Sequence, residues 1–167
     1  MAATFTPIAS ITLGAATDSV TFSSIPQTYT DLVLITNCSI TSGTNYIRLN
    51  YNYDTGSNYS RTVISGNGST ASSFRVTNEV TNFPNNFELT TAANTFDTII
   101  INIMNYSNTT TNKTILSRGT ATGLGTSNNV GLWRNTAAIS TIAITTTGST
   151  FTLGSTFNLY GILAGNA

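Results

Sequence analysis

Apolar and polar residues alternate along this chain in short runs, and polar turns containing Gly, Asn, Asp or Ser break the runs about every 8 to 12 residues. A period of two places successive side chains on opposite faces of a strand, so the pattern predicts strands throughout and no helix of any length. Ile8, Ile11 and Leu13 lie in a first strand ending at Gly14. Val20 and Phe22 open a second, which Ser24-Ile25-Pro26 closes. Asp31-Leu32-Val33-Leu34-Ile35 is nearly continuously apolar, as a strand covered on both faces would be. From Tyr46 to Tyr53 the alternation is strict, with Ile47 and Leu49 facing one way and Tyr46, Arg48 and Asn50 the other. Asp54-Thr55-Gly56 then supplies turn chemistry.

Arg61 to Ile64 reads as another strand, ended by Gly66-Asn67-Gly68. Residues 66 to 95 are harder to assign: Phe74 and Val76 alternate with Arg75, but Asn82-Phe83-Pro84-Asn85-Asn86 interrupts any strand, so this stretch is expected to leave the core. Phe96 to Met104, with Ile99, Ile101 and Ile103 on one face, is the strongest strand signal and is expected to be central. Further strands are expected around Thr114 to Arg118, Val130 to Trp133, Ala138 to Thr145 and Thr156 to Leu163. About eight to ten strands over this length predict an all-β fold, a two-sheet antiparallel sandwich of the jelly-roll kind rather than a small five-stranded barrel. A single domain spanning residues 1–167 is expected, with residues 1–7 as an N-terminal arm.

Charge changes what the chain is expected to do. Only 7% of residues are charged, and six basic and six acidic residues give a net charge of zero, where about 25% charged is usual. Ser, Thr and Asn carry the polar surface instead. Without a basic stripe nucleic acid is not an expected partner, and near-zero net charge removes the repulsion that keeps copies apart. No stretch approaches the roughly 20 apolar residues of a membrane helix, and the first residues show neither the basic nor the apolar region of a signal peptide, so synthesis in the cytoplasm of the producing cell is expected and a membrane partner is not.

Catalytic chemistry finds few materials. The chain has no histidine, which removes Ser-His and Cys-His catalysis and the common zinc ligand sets, and Cys38 is the sole cysteine. Glu79 and Glu88 are the nearest approach to a carboxylate pair, and solvated loop charges are the simpler reading. Asp54-Thr55-Gly56-Ser57-Asn58 has calcium-loop flavour but one carboxylate, so a β-turn is the better reading. No catalytic residue, metal or cofactor is therefore predicted. Two groups have the composition of a binding surface: Tyr46, Arg48, Tyr51, Tyr53 and Tyr59, and Trp133 with Arg134. Aromatic rings with guanidinium groups supply the hot spots of protein and sugar interfaces, although the same residues also cover sheet faces or fill cores.

Several segments together resemble a family of small tailed-phage virion proteins that act as capsid cement (decoration) proteins or tail-associated proteins. They are Phe22 to Leu32, Gly56-Ser57-Asn58-Tyr59-Ser60, Asn105-Tyr106 with Lys113, Leu132 to Ile139, and Ser155 to Ile162. The resemblance runs from about residue 5 to 163 and implies a β fold and a place in a virus particle. It carries over no catalytic residue. Family members usually bear more charge. The resulting expectation is a non-enzymatic cement protein on the outer capsid surface, a homotrimer bridging neighbouring major capsid proteins. The alternative is a tail, neck or fibre-tip protein that recognises host surface or glycan.

Overall fold

Eleven strands form among the residues that the computed structural model describes, which are 5–92 and 94–163. They are β1 (Phe5–Thr12), β2 (Ser19–Phe22), β3 (Asp31–Cys38), β4 (Ile47–Tyr51), β5 (Tyr59–Gly66), β6 (Ala71–Glu79), β7 (Asp97–Met104), β8 (Lys113–Ala121), β9 (Gly125–Trp133), β10 (Ile142–Thr146) and β11 (Thr156–Ile162). All pairings are antiparallel. One sheet has eight strands in the order β1-β11-β3-β7-β8-β9-β5-β6, and a second has three in the order β2-β10-β4. The all-β sandwich expected from the sequence is the observed fold, with the strands divided unevenly between its layers. The expected arm is corrected in part: Phe5, Thr6 and Pro7 pair with Ile162, Gly161 and Tyr160 inside β1. Residues 1–4 lie outside the described residues.

The core sits between the small sheet and the inner face of the large one. Leu32 and Leu34 of β3, Ile99, Ile101 and Ile103 of β7, and Phe157 and Leu159 of β11 point inward. They meet Val20 and Phe22 of β2, Ile47, Leu49 and Tyr51 of β4, and Ile142 and Ile144 of β10. Each fully buried Leu or Ile contributes roughly 1.5–3 kcal/mol. β7, flanked by β3 and β8, is as central as its run of isoleucines predicts.

Of the stretch 66–95 expected to leave the core, the β6 half is an exposed edge strand, but the part after it instead enters the core. The small sheet has too few strands to cover β8, β9 and β5, and residues 80 to 90 lie over their inner face. Asn82 exchanges both backbone hydrogen bonds with Leu49, at 2.8 and 2.9 Å, and so extends the small sheet past β4. The Pro84 carbonyl accepts from Ser117 Oγ at 2.7 Å, and Asn85 Oδ1 accepts from Ser127 Oγ at 2.6 Å. Buried Asp97 holds the far end, accepting from the backbone N–H groups of Thr90 at 2.6 Å and Thr122 at 2.7 Å. This layer is polar, and glycine makes room for it: a Cβ on Gly131 would stand 2.4 Å from Asn82 Nδ2.

Candidate partner interface

Four loops meet at one end of the sandwich, because β3, β5, β8 and β10 start there and β2, β4, β7 and β9 end there. They comprise residues 23–30, 52–58, 105–112 and 134–141, and most of the segments behind the virion-protein resemblance run through them. Their polar side chains are turned inward onto one another. Asp54 Oδ2 accepts from Trp133 Nε1 at 2.7 Å and Asn58 Nδ2 at 2.9 Å, while Oδ1 accepts from the Gly56 N–H at 2.8 Å. Burial acts to raise the Asp54 pKa, but the bonds from Trp133, Asn58, Gly56 and Asn135 outweigh it and hold the carboxyl below its ordinary value. Lys113 is fully buried and donates to the carbonyls of Thr111 at 2.7 Å and Thr136 at 3.0 Å, and desolvation lowers its pKa. Tyr106 donates to the Pro26 carbonyl. Asn52 Oδ1 accepts from the N–H groups of Ser140 and Thr141, at 2.9 and 3.1 Å.

This packing corrects three of the seven residues with interface composition. Trp133, Tyr51 and Tyr59 are wholly buried and pack on one another, Tyr59 and Trp133 stacked and Tyr51 tilted against both, with ring centroids 5.6 to 6.4 Å apart. They are core anchors and present nothing to a partner. Burial raises the Tyr59 hydroxyl to about 12 and Tyr51 well above its ordinary value. Tyr46 is half-buried, packed edge-on to Phe83 at 6.3 Å, and donates to Glu88 Oε1 at 2.9 Å. Arg134, also half-buried, donates to the Ser57 carbonyl at 2.7 Å and so pins the loop after Asp54. Tyr53 alone among the seven is fully exposed, at 65%, on a left-handed turn residue with φ of 57°.

Arg48 points the other way, at the opposite end of β4, and its guanidinium donates to the Thr146 carbonyl. It lines an open hollow of about 540 Å³ with Asp18 and the hydroxyls of Ser19, Thr41, Ser42 and the 145–150 segment. Arg48 and Tyr53 therefore do not share a site. Glu79 and Glu88 also have separate roles: Glu79 pairs with Arg61 at 3.3 Å, and the Arg61 guanidinium lies over the Phe83 ring at 4.7 Å. Desolvation raises the Glu79 pKa against the pull of Arg61.

Two features were not apparent from the sequence. All twelve charged side chains lie within the described residues, yet only Asp18, Arg75 and Arg118 are exposed. The outer face of the large sheet, which no other element among the described residues covers over β8, β9 and β5, exposes Leu116 at 40%, Val130 at 51% and Ile64 at 63%. No protein-family model, curated protein or solved structure matches this chain.

Proposed function

We propose that the chain is a non-enzymatic structural protein of a virus particle, a cement protein that binds major capsid proteins on the outer surface of the shell and bridges neighbours. The observation that carries this reading is the inward commitment of its ionic groups. Asp54, Asp97 and Lys113 hold loops together, Arg61 and Glu79 hold each other, and three exposed charges remain. A rigid body with such a surface acts by burying area against a partner, and binding that favours the assembled state stabilises it by mass action. The order of the segments resembling small tailed-phage virion proteins supports the same reading. Cryo-EM of the particle tests it: density for this chain over the shell is expected, and density restricted to the tail would overturn it.

A second reading, a tail or fibre-tip protein that recognises host glycan, is favoured by the hydroxyl-lined hollow around Arg48 and Asp18. It predicts binding of purified protein to host surface polysaccharide that Arg48→Ala abolishes. An intact interaction in that variant would remove the hollow from consideration.

A further inference from the structure

We propose that the outer face of the eight-stranded sheet binds a second copy of this chain, about a two-fold axis that runs along β9 through Val130. The inference deepens the virion reading and rests on its claim that the chain works within an assembly.

The pairing registers fix the geometry of this face. Met104, Leu116, Val130 and Ile64 point outward from β7, β8, β9 and β5. Leu116 stands directly opposite Val130, and Ile64 is the diagonal neighbour of Val130, opposite Asn128. These four make a continuous apolar stripe across the sheet. Beside it, between β7, β8 and β9, is a hollow of about 320 Å³ lined by Thr98, Ile100, Arg118, Thr120, Thr126 and Asn128. Ile64 is the most exposed residue of the stripe, at 63%. It lies level with the hollow along the strands and on the opposite side of β9.

That placement selects the occupant. A two-fold axis along β9 exchanges β8 with β5, so the Ile64 of each copy seats in the hollow of the other, a knob and hole that are mutually satisfied. Val130 lies on the axis and meets its own counterpart. The same operation sets Arg118 over the partner's Ile64 and Arg75 over the partner's Asn102, with the partner's Asp31 and Arg118 each one diagonal away. Five strands overlap, about 24 Å across by about 26 Å along, which covers roughly 600 Å² of each copy and about 1,200 Å² in all, the lower bound of specific, stable interfaces. The product is a dimer, in place of the trimer expected from the sequence.

Sedimentation equilibrium over a concentration series, combined with thiol cross-linking, tests this. Wild type is expected at twice the monomer mass, and Val130→Glu, which sets two carboxylates against each other on the axis, to bind its copy at least ~100-fold more weakly. Val130 is half-exposed in the single chain, so circular dichroism of the variant should match wild type. Val130→Cys should link to its own copy through a short bis-maleimide, while Thr55→Cys, on the loop end, should not. Cys38 is wholly buried and does not compete. A wild-type monomer, a trimer, or a dimer that Val130→Glu leaves intact would each overturn the proposal. A monomer whose Val130→Cys is shielded on purified particles would overturn it in favour of the coat protein as occupant and leave the virion reading standing. A dimer absent from every particle would support it and overturn that reading.

Discussion

Removing the Asp54 carboxylate should loosen the loop end of the sandwich more than its partly exposed position suggests. Asp54→Ala strips the hydrogen bonds from Trp133, Asn58 and Gly56 together, and one of the donors, Trp133 Nε1, belongs to a fully buried residue. An unpaired indole N–H in the core costs about 1–3 kcal/mol, and the bonds to Gly56 and Asn58, which water can partly replace, about 0.5 kcal/mol each. The sum is about 3 kcal/mol, a large part of the 5–15 kcal/mol that holds a typical domain together, and in a chain of this size it lowers Tm by about 6–12 °C. A double-mutant cycle with Trp133→Phe, followed by urea unfolding, isolates the bond. A coupling of about 1.5–3 kcal/mol is expected for a hydrogen bond to a charged acceptor. The pH dependence follows from the depressed pKa: the carboxylate's stabilisation is fully present above the unfolded value of about 3.9 and is lost as pH falls through the lower folded value. The gap between wild type and Asp54→Asn should therefore be widest near neutrality and close in acid. A coupling below about 0.5 kcal/mol, or a gap that does not change with pH, would refute the role given to Asp54.

Three further outcomes follow from the same packing. Gly161→Ala should cost about 1–3 kcal/mol, because its Cβ would stand 2.3 Å from the Tyr29 ring, whereas Gly14→Ala, with open space around it, should stay within about 0.5 kcal/mol of wild type in thermal melts. The Cys38 thiol, raised by burial to about 12, should resist thiol reagents in the native protein and react only once denaturant opens the core. Self-association should be nearly the same at about 0.05 M and 1 M salt by light scattering, since apolar contacts dominate an interface with so few charges, and dissociation at high salt would show that Arg75 or Arg118 matters more.

The strands were legible because their inward positions are apolar and strictly alternating, as in Ile99, Ile101 and Ile103. The segment 80–90 was not, because it fills the core with Asn82, Asn85 and the Pro84 carbonyl, and a buried polar layer reads as a loop when its hydrogen-bond partners are remote in sequence. Composition misled at Trp133, Tyr51 and Tyr59 for a related reason. Rings beside arginines look alike in a core and on a surface, and what decides between them here is Asp54, which is 79 positions from Trp133. The outer stripe depends on the register of four strands, three of them remote in sequence from the first, so no local pattern reveals that Leu116, Val130 and Ile64 adjoin.

The number of copies of this chain per virus particle, measured by quantitative mass spectrometry against the major coat protein, tests the central claim most directly. A cement protein predicts a ratio approaching that of the coat protein. A handful of copies that co-purify with detached tails, or no copies at all, would contradict it.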